Sequence, residues 1–211
     1  MSYINRITEL HFDVLKELGN IGAGNAATAL SKLLNRKIVM ELPNARILSF
    51  QEIMELLVDN DNEVASVSLQ IEGDVSGSMV FVLPLSQVEI SVQQLMNNSE
   101  QSLASYDTEF IHSALQELGN ILTGSYLTSL ADFTNLSLIP TVPRLSIDRF
   151  GTFISEGIIE PAFDSDFGIV IETALKEDDS SHSETIKGYL LLIPDSNFFE
   201  IIFKSLGIPF D

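Results

Sequence analysis

Glu17-Leu18-Gly19-Asn20-Ile21 returns 100 residues later as Glu117-Leu118-Gly119-Asn120-Ile121. The same shift carries Gly24 onto Gly124 and Pro43 onto Pro143. Farther on, GSMVFVLP (Gly77 to Pro84) is echoed by GYLLLIP (Gly188 to Pro194), now displaced by 110 residues at the prolines. A fixed internal period marks a duplicated structural unit, in which each copy needs a neighbour to close its apolar face. The chain therefore reads as a single domain, residues 1–211, built of two repeats of about 1–100 and 101–211. The second repeat carries about ten extra residues, which the polar run Lys176 to Ser183 accommodates as a surface loop.

Each half reads as helix, strand, short helix, two strands, helix. In the first half these are Asn5 to Asn35, Lys37 to Leu42, Phe50 to Val58, Val64 to Glu72, Ser78 to Leu83, and Gln87 to Met96 capped by Ser86. Their counterparts are Asp107 to Asn135, Leu138 to Val142, Ser146 to Ile154, Gly168 to Leu175, Gly188 to Ile193 and Asn197 to Leu206. Hairpin-linked strands predict antiparallel or mixed pairing. The expected fold is α+β: one six-stranded sheet shared by pseudo-symmetric halves, with the long helices on a face.

At 100° per residue, Asp13, Glu17, Asn20, Gly24, Thr28 and Ser31 fall on one stripe of the first long helix. Leu15, Leu18, Gly22, Ala26, Ala29 and Leu33 fall opposite. The second copy repeats this, with Ser113, Glu117, Asn120, Gly124 and Thr128 on one side and Leu115, Leu118, Leu122, Tyr126 and Phe133 on the other. Solvation alone constrains an outward face weakly. Two diverged copies nevertheless keep the same Glu and Asn there. Glycine in a helix interior costs about 1 kcal/mol relative to alanine. Gly19 and Gly22 are accounted for by packing, whereas Gly24 and Gly124 lie on the outward stripe, where a missing side chain lets another backbone approach.

Composition narrows the chemistry. There is no cysteine, which removes disulfides, zinc thiolates and thiol catalysis. His11, His112 and His182 lie far apart and fit surface or capping roles better than metal ligation. A net charge of -19 opposes binding to nucleic acid or anionic lipid. No 18-residue apolar run and no secretory pattern is present, so a cytoplasmic protein is expected, without membrane insertion. Gly22-Ala23-Gly24-Asn25-Ala26 superficially looks like a nucleotide loop but falls inside a helical pattern. No hydrolase or kinase motif accompanies it.

The two copies of Asp/Ser-x3-Glu-x2-Asn-x22-Pro, namely Asp13, Glu17, Asn20 and Pro43, then Ser113, Glu117, Asn120 and Pro143, resemble the signature motifs of the CheC/CheX/FliY family of chemotaxis phosphatases. The resemblance spans essentially the whole chain. It implies a phosphatase that hydrolyses the aspartyl phosphate of a CheY-type response regulator. Asn20 and Asn120 would then orient the attacking water, with Glu17 and Glu117 anchoring the substrate and Asp13, Ser113, Gly24 and Gly124 supporting its contact. No cofactor of its own is implied, since Mg2+ would sit on the regulator. The family also binds CheD, a receptor-modifying deamidase, which places Asp148 and Phe150 in a partner surface on the Ser146 to Ile154 helix. Fused repeats suggest a monomer. The rival expectation is a non-enzymatic adaptor that binds CheD or a flagellar-switch component, as in the similarly folded middle domain of FliM, which lacks the Glu-x2-Asn pair.

Overall fold

A computed structural model describes residues 6–42, 44–58, 63–96, 107–149, 151–152, 167–178 and 185–210. In chain order the elements are α1 (Glu9–Leu34), β1 (Ile38–Glu41), β2 (Ala45–Ser49), α2 (Phe50–Val58), β3 (Glu63–Gly73), β4 (Gly77–Pro84) and α3 (Leu85–Met96). The second half supplies α4 (Thr108–Thr134), β5 (Leu138–Pro140), β6 (Arg144–Arg149), β7 (Phe167–Glu177), β8 (Ile186–Pro194) and α5 (Phe198–Ser205). The α+β class and the two long helices agree with the sequence reading.

The long helices have matching ends. Thr8 caps α1 in a reciprocal box with His11, and Asp107 caps α4. Both stop at an asparagine in the left-handed region, Asn35 at φ 50° and Asn135 at φ 56°. That conformation tolerates Asn and releases the chain from the helix axis. His11 is therefore a buried capping residue. Its Nε2 lies 2.8 Å from the Pro209 carbonyl oxygen, and its ring is 4.3 Å from that of Phe203. These contacts tie the end of the chain to the start of α1. His112 is exposed, and His182 lies outside the described residues.

Among the described residues the sheet has eight strands, all antiparallel, where six were expected. Its path runs β1-β7-β8-β4-β3-β5, with β2 also on β7 and β6 also on β3. The additional strands are Ala45–Ser49 and Arg144–Arg149. The latter corrects the expected helix Ser146 to Ile154. Its polar/apolar sequence Arg-Leu-Ser-Ile-Asp-Arg alternates with a period of two and pairs with β3 from Glu63↔Arg149 to Ser68↔Arg144. Ser86 also lies inside α3, not before it, and Lys176 and Glu177 belong to β7, not to a loop. Residues 179–183 of that proposed loop lie outside the described part.

Strands cross between repeats. β1 and β2 of the first half pair with β7 of the second, and β5 and β6 of the second pair with β3 of the first. The β4–β8 pairing joins the halves at the centre. On the first seam, Arg36–Glu177 (3.0 Å), Arg46–Glu172 (2.8 Å) and Lys176–Glu41 (2.6 Å) form ion pairs, and Lys37 contacts Asp178. The hydrogen bond to Glu41 holds the Lys176 ammonium above its usual range.

Alternation along the strands divides the core in two. Ala65, Val67, Leu69 and Ile71 of β3, with Met79, Phe81 and Leu83 of β4, face the long helices and α5. Val64, Val80, Val82, Val170 and Leu191 face the opposite way, under Ile53 and Leu57 of α2. Burying each such side chain contributes about 1.5–3 kcal/mol. Where α1 meets α4, a β-carbon on Gly22 would lie 2.7 Å from the Tyr126 ring. The symmetry-related positions hold Leu122 and Ala26, both fully buried, so bulk has moved from one helix to the other. Among the described residues the buried Tyr126 hydroxyl has no hydrogen-bond partner, and burial raises its pKa.

Gly19 and Gly119 occupy equivalent positions with unequal room. A β-carbon on Gly119 would meet Val67 at 2.4 Å, whereas on Gly19 the nearest atom is Leu42 Cδ1 at 3.5 Å. Gly119→Ala should cost about 1–3 kcal/mol through overpacking. Gly19→Ala should be neutral or stabilising by about 0.5–1 kcal/mol. Urea unfolding of the two variants measures the contrast.

Candidate active site

The outward stripe of α1 exposes Asp13, Glu17, Asn20, Gly24 and Thr28. The matching stripe of α4 exposes Ser113, Glu117, Asn120 and Thr128, with Gly124 partly covered. The inner faces bury Leu18, Gly19, Gly22, Ala23, Ala26 and Leu30, and Leu115, Leu118, Gly119, Leu122, Tyr126 and Leu130. Leu33 and Phe133 depart from the expected core face, at 55% and 49% exposed.

Glu17 and Asn20 are three residues apart on one helix, so their β-carbons are separated by about 5–6 Å. The same holds for Glu117 and Asn120. Among the described residues no hydrogen bond or ion pair engages these four side chains. The carboxamides and carboxylates are therefore available to a partner. Nearby hydroxyls are already committed to the helix backbone. Ser113 Oγ donates to the Glu109 carbonyl at 2.8 Å, and Thr28 Oγ1 donates to the Gly24 carbonyl at 2.8 Å. No atom would come within 4 Å of a β-carbon on Gly24 or Gly124, so neither glycine is needed for packing inside this chain.

The two sites differ at their flanks. Beside Asn20 lies a recess of about 150 Å³ with Phe12, Leu15, Ile47 and Ile171 in its wall and Lys16 and Asn44 with Asn20 at its polar side. Beside Asn120 the surroundings are different. Val67 packs against Gly119, and Gln116, in the position of Lys16, donates to the Pro143 carbonyl at 3.0 Å. Sequence reasoning missed Lys16, which the helix itself sets one turn before Asn20, and Asn44, which only the path of the chain into β2 brings beside α1. Pro43 lies outside the described residues.

The other candidate residues fall elsewhere. Asp148 is half-buried on strand β6, where its Oδ1 accepts from the Arg149 backbone N–H, and Phe150 lies outside the described residues. Among the described residues no cluster of His, Asp and Glu is arranged to hold a metal ion, and no helix is long and apolar enough to cross a membrane.

The CheC-like family pattern matches residues 10–45 and 110–147, which are α1 and α4 with the strands that follow them. Over 208 residues the chain is 45% identical to a Bacillus subtilis protein named CheY-P phosphatase CheC, covering 98% of this chain and 99% of that one. The chain belongs to the CheC-like family. A second relative, the flagellar motor switch phosphatase FliY of Bacillus subtilis, is 28% identical over 145 residues, covering 68% of this chain and 37% of FliY. The crystal structure of Thermotoga maritima FliY superposes with a TM-score of 0.75 at 23% identity, covering 95% of this CheC-like chain and 98% of that one. FliM in a FliG–FliM complex from H. pylori superposes with a TM-score of 0.65 at 8% identity over 94% of this chain and 100% of that one. At such identities the likeness concerns the fold.

Because a β-carbon on either outward glycine would meet no described atom within 4 Å, Gly24→Ala and Gly124→Ala should each raise stability, by about 0.5–1 kcal/mol. Thermal unfolding of the single variants checks this.

Proposed function

We propose that this CheC-like protein is a phosphatase that hydrolyses the aspartyl phosphate of a CheY-type response regulator and so ends the chemotaxis signal that the regulator carries. The observation that supports it is the duplicated, exposed and unengaged Glu–Asn pair at the same place on two helices whose other faces have diverged.

A neutral carboxamide is neither base nor nucleophile, so no phospho-enzyme forms on it. It both donates and accepts hydrogen bonds, which suits it to hold one water in a fixed orientation. That water attacks phosphorus, the bond from phosphorus to the aspartyl oxygen breaks, and the carboxylate leaves as inorganic phosphate forms. The phosphoryl transition state is loose, and alignment of the water supplies much of the achievable acceleration. Mg2+, held by the regulator's own carboxylates, neutralises phosphoryl charge. Glu17 and Glu117, each one turn from an Asn, pair with the regulator's active-site lysine and fix the docking register. Two sites on one chain make a monomer sufficient.

Asn20→Ala combined with Asn120→Ala should reduce the accelerated decay of phosphorylated regulator to its spontaneous rate, with unfolding unchanged. A parental rate in the double variant sinks the reading. The single variants should retain unequal rates, because Lys16 and a recess lie beside Asn20 whereas the equivalent Gln116 beside Asn120 is tied to Pro143. Gly24→Ala with Gly124→Ala should slow dephosphorylation several-fold while the fold gains stability.

A second binding role, toward CheD, has a narrower footing. Asp148 and the 37% exposed Ile147 lie on β6, an edge strand along which a partner can align. Asp148→Lys should abolish CheD capture in a pull-down and leave phosphatase activity intact. Undiminished capture excludes this surface.

A further inference from the structure

We propose that the recess beside Asn20 is a docking pocket for one apolar, ring-sized side chain of the response regulator, with Lys16 at its rim drawing in the anionic surface around the phosphoryl group. The proposal rests on the phosphatase reading of the Glu–Asn stripes and gives the first of them a specificity element of its own.

The recess lies where α1 meets the edge of the sheet. Ala45 of β2 is paired with Ile171 of β7, and Ile47 with Ile169. Residues paired across antiparallel strands share a face. Here it is the face under the long helices, to which Ile169 and Ile171 belong. Phe12 and Gly19 of α1 also line the space. Ile169 and Ile171 are buried, but Phe12, Ala45 and Ile47 are only half-buried, so apolar surface beside Asn20 still meets solvent. Gly19 helps to keep the recess open. A β-carbon there would sit 3.5 Å from Leu42 Cδ1 and 3.8 Å from Ile171 Cδ1, both in the lining.

Volume decides what fits. Pockets that take whole small molecules run to about 300–1,000 Å³. The recess has about 150 Å³. An apolar space of about that size takes a benzene-sized ring. A single large apolar side chain therefore fills it, and a nucleotide does not fit.

Position and charge decide the occupant. Asn20 is itself part of the lining, so whatever enters lies against the carboxamide that orders the attacking water. The surface brought to that carboxamide is the regulator's, and a side chain beside its phosphorylation site is within reach. Around the helix, Asn20 lies between Glu17, about 60° to one side, and Lys16, about 40° to the other. The β-carbons of Lys16 and Asn20 are about 5–6 Å apart. Arg36, Lys37, Arg46 and Lys176 are engaged by acids, whereas among the described residues no hydrogen bond or ion pair engages Lys16. In a chain of net charge -19, a cation beside Asn20 offsets the repulsion that a phosphate-bearing partner meets. Asn44 completes the polar rim. Its backbone carbonyl accepts from the Glu172 N–H at 2.9 Å, and its side chain is unengaged.

The second repeat carries Gln116, Arg144 and Leu145 where the first has Lys16, Asn44 and Ala45. Leu145 packs against the core, so that place in the fold tolerates leucine. Ala45→Leu is then a variant that narrows the recess and keeps the strand.

In the Asn120→Ala background only the first site turns over. There, Ala45→Leu should raise the KM for a phosphorylated CheY-type regulator about tenfold, with the saturating rate of the background. Gly19→Ala should raise it several-fold. In the Asn20→Ala background neither change should alter the KM. Lys16→Gln should raise the first-site KM about threefold at low salt and by less at high salt, and Lys16→Arg should keep the parental value. In the parent chain, regulator carrying beryllofluoride in place of the phosphoryl group should shift the δ1-methyl NMR signals of Ile47 and Ile171. A first-site KM unchanged by Ala45→Leu, equal rises in both backgrounds, or methyl signals unmoved by saturating regulator overturn the pocket. A first-site KM unchanged by Lys16→Gln at low salt overturns the role of the rim. A concentration-dependent dimer that Ala45→Leu dissolves, measured by analytical ultracentrifugation, overturns the pocket in favour of a second copy as occupant. Absence of phosphatase activity in the parent chain defeats the underlying reading, whereas parental activity with unaltered KM values defeats only the pocket.

Discussion

Neither repeat pairs all of its own strands. The backbone groups of β1 and β2 find their partners on β7, and those of β5 and β6 find theirs on β3. A strand with unpaired N–H and C=O groups is costly to bury and open to wrong pairing when exposed. Each half thus satisfies hydrogen bonds that the other cannot satisfy alone, and everything else in the molecule is built on that exchange. The ion pairs from Arg36, Lys37, Arg46 and Lys176 to the acids opposite them lie along one of the two seams. Exposed pairs contribute only about 0–1 kcal/mol each, so their effect lies more in fixing register than in stability. Register matters here because a one-residue slip would exchange the faces of β7 and move Ile169 and Ile171 from the core under the long helices to the smaller one under α2.

With the sheet closed in this way, α1 and α4 cover one of its faces and each is left with one free stripe. The inner stripes are crowded: Gly22 accommodates the Tyr126 ring and Gly119 accommodates Val67. The outer stripes have space around Gly24 and Gly124. One residue type therefore serves two opposite purposes on one helix. On the inner side glycine admits a neighbour from the same chain; on the outer side it keeps room for a neighbour from another. The chemistry that follows requires little of the protein itself. An acyl phosphate is already reactive, and a rigid carboxamide that orders one water suits a loose transition state. Rigidity comes from the helix, whose buried side is fixed by the sheet.

Duplication has not kept the sites identical. Val67 crowds Gly119, whereas Gly19 borders a recess, and Lys16 is matched by a glutamine already bound to Pro143. The repeated residues thus present the same chemical groups twice, while the unrepeated surroundings differ between the two stripes. The same division applies along the core, where Gly22 with Tyr126 and Leu122 with Ala26 exchange bulk between equivalent positions without loss of filling.

The repeat, the long helices with their Asn35 and Asn135 ends, and the outward direction of Glu17, Asn20, Glu117 and Asn120 were all legible in the sequence. They follow from period and local conformational preference, which neighbouring residues determine. The strands β2 and β6 were not legible: Ser146 to Ile154 reads as a helix, and the pull of β3's open edge on Arg144–Arg149 is a non-local effect. The exposure of Leu33 and Phe133 also escaped, because helical phase gives direction but not which turns a neighbour covers. Sequence by itself determined which residues recur, and hence the chemical groups of the site. Tertiary structure alone decided which strands exchange, which recess stays open and which side chains beside the site remain uncovered, since each depends on contacts between residues far apart in the chain.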